Sequence, residues 1–223
     1  MTGSRTSSAE APLDLAADRA HALALTPVSR ETTQRLDRFV ALLLQTQRHT
    51  NLVGSGALPE LWTRHVADSL QLVALVPEAR VWLDIGSGGG FPGLVIACAL
   101  ADQPGRVVHL VESNGKKAAF LRQVIRTLSL PAQVHEQRIE SLAPAIAADV
   151  ITARAVAPLT KLLGYVAPLL KTGGKALLLK GQDVERELTD AAKYWTIEAE
   201  LTPSRTHAAG RIVVVRALQR RAG

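Results

Sequence analysis

The residues most suggestive of chemistry lie between Val81 and Gly93, where Asp84 stands two places before Gly86 and five glycines fall at positions 86, 88, 89, 90 and 93. The apolar run Val81-Trp82-Leu83-Asp84-Ile85 enters the glycines, and Phe91-Pro92-Gly93-Leu94 leaves them. Without Cβ atoms the backbone can approach a ligand closely, and the free N–H groups of a following helix start supply donors. Pro92 suits that first helical turn, where its missing N–H is no loss. Two patterns overlap. Gly88, Gly90 and Gly93 satisfy the dinucleotide spacing G-x-G-x-x-G, whereas Gly86, Gly88 and Gly90 satisfy G-x-G-x-G with Asp84 ahead of it. Glu112 closes the next apolar run and is placed to bind ribose hydroxyls in either reading. Asp84 separates the two. A carboxylate against the loop suits a cationic or polar ligand better than a pyrophosphate, and S-adenosylmethionine carries a sulfonium and an amino acid group but no phosphate. The pattern favours that cofactor, with an NAD(P)-dependent oxidoreductase as the alternative.

Further along, Arg154 sits in Thr152-Ala153-Arg154-Ala155-Val156-Ala157-Pro158 and Lys180 in Leu179-Lys180-Gly181. Both segments end predicted strands, and ligands of open α/β sheets lie beyond the carboxyl ends of the strands. Arg154 is therefore expected to contact substrate or cofactor, with Lys180 beside it as a second orienting cation. The fourth strand carries no Asn-Pro-Pro-Tyr signature of amino-group methylation and no cysteine for covalent attack on a pyrimidine. An acceptor with a free lone pair, such as N7 of guanine, needs only alignment and exclusion of water, so no general base is expected. His65 and Asp68, three residues apart, share a helix face, but no third strong ligand accompanies them and no metal site is predicted. Cys98, in an apolar helical stretch, reads as a small buried hydrophobe.

These residues need a frame. Helices are predicted over Asp14–Leu25, from a Ser29 cap through Leu36, Phe39, Val40, Leu43 and Leu44, and over Leu58–Leu75. From Arg80 onward strands and helices alternate. The strands are Arg80–Ile85, Val107–Val111, Ala132–Glu136, Val150–Ala153 and Ala176–Leu179, and the intervening helices are Phe91–Leu100, Lys116–Leu130, a partly helical Ile139–Ile146 and Pro158–Leu170. A polar-faced helix, Gln182–Ala192, follows. Trp195–Leu201 and Arg211–Arg216 come last, without a long crossover, which implies an antiparallel ending. The expected architecture is α/β: a Rossmann-like, doubly wound, mostly parallel sheet with an antiparallel last strand and an N-terminal helical extension. The expected organisation is a disordered tail over 1–11, a helical region over 12–79, a methyltransferase domain over 80–218 and a basic tail over 219–223. Ser113 or Asn114 caps the helix that opens with Lys116 and Lys117, two cations set against the helix dipole.

A length of 223 residues and a hydrophobic fraction of 47% suit one domain with a small addition. No run of 18 uninterrupted apolar residues occurs, and residues 1–10 lack the basic start and apolar stretch of a secretory signal, so a cytoplasmic protein without membrane contact is expected. The net charge of +6 is unevenly spread: residues 151–223 carry twelve basic and six acidic side chains, and the rest of the chain is balanced. That asymmetry favours a polyanionic partner.

Taken together, several segments closely resemble the bacterial 16S rRNA guanine-N7 methyltransferase family, also called glucose-inhibited division protein B. They are Asn51-Leu52-Val53, Trp62-x-Arg64-His65-x-x-Asp68-Ser69-Leu70, Leu83 to Leu94, and Val111-Glu112-Ser113-x-x-Lys116-Lys117-x-x-Phe120-Leu121. Arg138-x-Glu140, Arg154-Ala155-Val156-Ala157 and Lys180-Gly181 complete the set. The resemblance spans roughly residues 30 to 216. It implies a class I S-adenosylmethionine-dependent methyltransferase fold and methyl transfer from S-adenosylmethionine to N7 of one guanine in the 530 loop of 16S ribosomal RNA; a small-subunit particle as substrate and a monomeric protein are expected beside it. It also implies Gly86, Phe91, Ile139, Glu140 and Arg154 as cofactor contacts, beside Asp84, Gly88 and Glu112. Gly89, at the variable third position of the glycine loop, is a minor departure. An inactive ribosome-associated RNA-binding protein is the remaining alternative, distinguished by whether the chain binds S-adenosylmethionine.

Overall fold

The computed structural model describes residues 14–142 and 146–221. The expected tail over 1–11 and the middle of the Ile139–Ile146 crossover lie outside the described residues. Helices α1 (Ala16–Leu25) and α2 (Arg30–Gln47) come first, then a 3-10 turn at Ser55–Glu60, a π-helical turn at Trp62–Ala67 and α3 (Asp68–Leu75). Strands β1 (Val81–Ile85), β2 (Val107–Val111), β3 (Ala132–His135), β4 (Val150–Arg154) and β5 (Lys175–Lys180) alternate with α4 (Gly93–Leu100), α5 (Gly115–Leu128), a short 3-10 turn at Ile139–Ser141 and α6 (Leu159–Val166). Helix α7 (Val184–Ala191) leads to β6 (Trp195–Pro203) and β7 (Arg211–Arg220).

The seven strands form one sheet in the order β3-β2-β1-β4-β5-β7-β6. The first five run parallel; β7 runs antiparallel between β5 and β6. The antiparallel ending is as the missing crossover implied, but both final strands are longer than the sequence suggested. Gln219 and Arg220, expected in a basic tail, are ladder residues opposite Thr196 and Trp195, and the Arg221 N–H donates to the Tyr194 carbonyl at 2.9 Å.

The sheet buries both faces. On one, Phe39, Leu43, Leu61, Trp62 and Val66 of the N-terminal helical region form a continuous core with Trp82, Leu94, Val95 and Leu110. On the other, Leu159, Leu162, Leu163 and Val166 of α6 pack with Leu83, Ile85, Ile151 and Val213. Ser29 caps α2, accepting from the Thr32 N–H at 3.1 Å, and Asn114 caps α5, accepting from Lys116 and Lys117 at 3.0 and 3.2 Å. The main departure concerns 58–75, which is not one helix. Asp18 of α1 accepts from the Trp62 and Thr63 N–H groups at 2.7 and 3.1 Å, starting a new element there, and the π turn follows before α3.

Candidate active site

The glycine loop leaves β1 with positive φ angles at Gly86 (71°), Gly88 (54°) and Gly90 (99°), a backbone only glycine adopts freely. It is tied to β2 by the Gly86 and Ser87 N–H groups, which donate to the Val111 carbonyl at 2.9 and 3.0 Å. Glu112, 9% exposed, accepts from the Gly88 N–H at 2.8 Å and from the Asn114 N–H at 2.7 Å. A Cβ on Gly88 would meet nothing nearer than 3.8 Å, so the outer side of the loop is open. At Gly93 the reverse holds. A Cβ there would lie 2.1 Å from Leu110 and 2.6 Å from the Asp84 carboxylate, because α4 begins in contact with the sheet.

Asp84 does not face a ligand as expected. It is 1% exposed, and its two oxygens accept from the Gly93 N–H at 3.1 Å and the Thr152 hydroxyl at 2.9 Å. Close packing of α4 on β1 turns the side chain inward, where it fastens the loop's exit to β4. Burial pushes its pKa up to about 7 against the hydrogen bonds that favour the charged form. Lys180 also departs from expectation. Its ammonium donates to Glu187 at 2.7 Å and to the Ala157 carbonyl at 3.1 Å, holding α7 and the β4–α6 turn together. The cation is spent within the protein because Glu187 comes round on α7 to meet it.

Two cavities open along the carboxyl edge of the sheet. The first, about 260 Å³, is walled by Gly86, Glu112, Arg138, Ile139, Glu140 and Val156. Tyr165 of α6 closes it, its hydroxyl donating to Glu140 at 3.0 Å. The second, about 460 Å³, is walled by Arg64, Asp68, Arg154, Lys180 and the loop of residues 204–211. The strand β4 exit separates them: Ala155 borders one and Val156 the other. Ala155 holds a left-handed φ of 52°, a strained backbone for alanine that makes this sharp turn. Phe91 borders neither cavity; its ring packs between Phe39 at 5.2 Å and His65 at 4.8 Å.

Beneath the second cavity is the π turn. Both ring nitrogens of His65, the Thr63 hydroxyl and Nη1 of Arg154 are buried without a hydrogen-bond partner. Burial, with Arg154 and Arg64 nearby, depresses His65 to about 3, so the imidazole is neutral. Burial lowers Arg154 too, opposed by Asp68. Asp68 is braced from afar: its Oδ1 accepts from Gln71 at 2.7 Å, Thr206 at 2.8 Å and Ser204 at 3.1 Å. Its Oδ2 lies 3.9 Å from Arg154.

The structure thus brings Gly86, Glu112, Ile139 and Glu140 to one cavity and Arg154, Asp68 and Lys180 to the next. It also adds Arg64, Tyr165, Ser204 and Thr206, which sequence reasoning missed. Only Arg64 had a signal, lying inside the resembling Trp62–Leu70 segment.

The glycine loop, the carboxylate at the end of β2 and the polar cavity beside them fit an adenosine and its ribose. The open side of Gly88 is the observation that favours a ligand there over a bare turn. Comparison with known proteins agrees. The family described as GidB, rRNA small subunit methyltransferase G, matches residues 32–214. Ribosomal RNA small subunit methyltransferase G of Bradyrhizobium sp. (strain ORS 278) is 57% identical over 218 residues, covering 97% of this chain and 98% of its own. That of Nitrobacter hamburgensis is 58% identical over 215 residues, covering 96% and 82%. Among solved structures, S-adenosylhomocysteine-bound Podospora anserina methyltransferase PaMTH1 superposes with a TM-score of 0.60 at 14% identity, over 90% of this chain and 94% of that one. The mitomycin 7-O-methyltransferase MmcR gives 0.59 at 17%, over 96% and 74%. At such identities the likeness is one of fold.

Proposed function

The chain belongs to the rRNA small subunit methyltransferase G family, and on that premise we propose how its residues transfer a methyl group from S-adenosylmethionine to N7 of a guanine in the 530 loop of 16S ribosomal RNA. The observation that carries the reading is the open glycine loop beside a cavity walled by Glu112, Ile139 and Glu140. Bound S-adenosylmethionine supplies an electrophilic methyl group, which the guanine N7 lone pair takes as the carbon–sulfur bond breaks and S-adenosylhomocysteine leaves. Glu112 accepts from the ribose hydroxyls. Gly86 and Gly88 let the backbone approach, Ile139 and Glu140 border the adenine, and Asp84 and Phe91 hold the loop from behind. Arg154 orients the groups that meet at the β4 exit.

N7 carries no proton, so no side chain has to remove one. The buried His65, flanked by Arg154 and Arg64, stays neutral with its pKa depressed to about 3 and is a poor base; the imidazole of His207 lies on the wall of the same cavity, in the loop of residues 204–211. Arg154 must then face a carboxylate, a phosphate or guanine O6 rather than the acceptor nitrogen. Neither an oxidoreductase nor an inactive RNA-binding protein is favoured by any feature of the site. We assign the α/β part from residue 80 through the end of β7 at Arg220 as the methyltransferase unit, extending the expected boundary of 218, and residues 14–79 as the helical region that packs on one face of its sheet. The protein works as a monomer in the cytoplasm on RNA within a small-subunit particle. Labelled S-adenosylmethionine, incubated with unmodified 30S subunits and the protein, should place one methyl group per particle, mapped to a guanine N7 by strand cleavage at the modified base. No incorporation, or a methyl group at another atom, overturns the reading.

A further inference from the structure

We propose that Asp68 and Arg154 together read the N1–H and O6 edge of the target guanine, making Asp68 a specificity-determining residue of the second cavity. The inference rests on the proposed N7 chemistry. An arginine usually reads guanine through O6 and N7 together. Here that mode is closed, because it would occupy the lone pair that must accept the methyl group. Recognition has to use the neighbouring edge, where guanine offers an acceptor, O6, beside a donor, N1–H. Its complement is a donor beside an acceptor. Asp68 and Arg154 form such a pair. Their closest approach is 3.9 Å, too long for a hydrogen bond, although both side chains are largely shielded, at 16% and 20% exposure. The gap is held open from the Asp68 side. Three donors from Gln71, Ser204 and Thr206 fix Oδ1 of Asp68, and no hydrogen bond reaches Oδ2 among the described residues. Arg154 keeps a buried Nη1 with no partner, and leaving a charged donor unpaired is unfavourable unless a ligand answers it. In a cavity with Arg64 and Arg211 on its wall and Lys180 already paired with Glu187, the fixed carboxylate selects a base that donates at N1. Adenine presents the opposite order, an acceptor at N1 and a donor at N6, and meets like against like at both positions.

The test uses the full chain and 16S RNA in 30S subunits reconstituted with guanosine, inosine or adenosine at the target position. Inosine keeps N1–H, O6 and N7 and loses only the 2-amino group. Wild-type protein should methylate inosine within a few-fold of guanosine and leave adenosine unmodified. Asp68→Asn, which keeps an acceptor for Ser204 and Thr206, should raise KM for the guanosine particle roughly tenfold to a hundredfold. Its S-adenosylhomocysteine affinity by calorimetry should stay within about twofold of wild type. Inosine rejected as strongly as adenosine overturns the proposal, as does an Asp68→Asn protein with unchanged KM for guanosine. The wild-type analogue series decides the matter even if the variant fails to fold. Failure of wild type on guanosine itself would instead indict the proposed reaction.

Discussion

At the scale of single residues, two buried titratable groups pull in opposite directions. Asp84 has a folded pKa of about 7, above the unfolded carboxylate value, so its contribution to stability is complete below about pH 3.8 and is lost as pH rises through 7. His65 has a folded pKa of about 3, below its unfolded value. Its contribution is complete above about pH 6.5 and is lost as pH falls toward 3. The windows overlap between about pH 4 and 6.5, where the two slopes offset each other. Replacing either residue should expose the other. Thermal melts of Asp84→Asn from pH 4 to 8 should gain on wild type as pH rises, because asparagine still accepts from Gly93 and never ionises. A difference independent of pH would show that Asp84 does not titrate in this window. His65→Gln should gain on wild type as pH falls from 6.5 to 4, and a parallel loss in both proteins would remove His65 as the source.

At the scale of elements, the glycine loop divides its labour by position. Gly88 faces open space and Gly93 faces the sheet, so substitutions at the two should fail differently. Gly88→Val should abolish calorimetric binding of S-adenosylhomocysteine and, because φ is 54° there, should also cost stability through backbone strain. Gly93→Ala should lose about 1–3 kcal/mol of stability by overpacking against Leu110. Retained S-adenosylhomocysteine binding in Gly88→Val would mean that the loop's open side faces no ligand. This division was half legible. Strand, loop and helix followed from hydrophobic period and glycine density, and Glu112 from its place at a strand end. The inward turn of Asp84 did not follow, because it depends on how closely α4 meets β1. The π turn was equally hidden. A helix wound one residue wider keeps the same apolar side chains, and only Asp18, 44 residues away, shows where the new element begins. Asp68 looked like half of a helix-face pair with His65. Its partners Ser204 and Thr206 are more than 130 residues distant and leave no local pattern.

At the scale of the whole molecule, formal charge overstates what an RNA would meet. Arg216 is paired with Glu200 at 3.0 Å and Arg122 with Glu136 at 2.6 Å, whereas Lys116 and Lys117 make no ion pair among the described residues. Binding to a 16S RNA fragment should weaken with salt, with a log–log slope of roughly −0.7 per single-strand phosphate neutralised. Lys117→Glu should reduce that slope by about 0.7, and Arg216→Glu by less, since its cation already has a partner. Identical slopes in wild type and Lys117→Glu would take Lys117 out of the interface. The even division of acidic and basic residues before position 150 was legible from counting. Which cations remain available was not, because pairing is decided in three dimensions.

The place of β7 has a consequence for how the chain comes together. It is inserted between β5 and β6, so β6 is made before β7 yet can join the sheet only through it. Until Arg211–Arg220 docks, β5 is a bare edge whose residues Ala176 to Leu179 are apolar and destined for burial, and such an edge invites pairing with another molecule. Strand β6, outermost and with five of its nine residues exposed, offers it no direct cover. The last strand therefore acts as a seal as well as a wall of the substrate cavity. A chain ending at Gly210 should appear in the insoluble fraction or as higher oligomers by light scattering. If it stays monomeric and folded, the edge is protected by something other than β7.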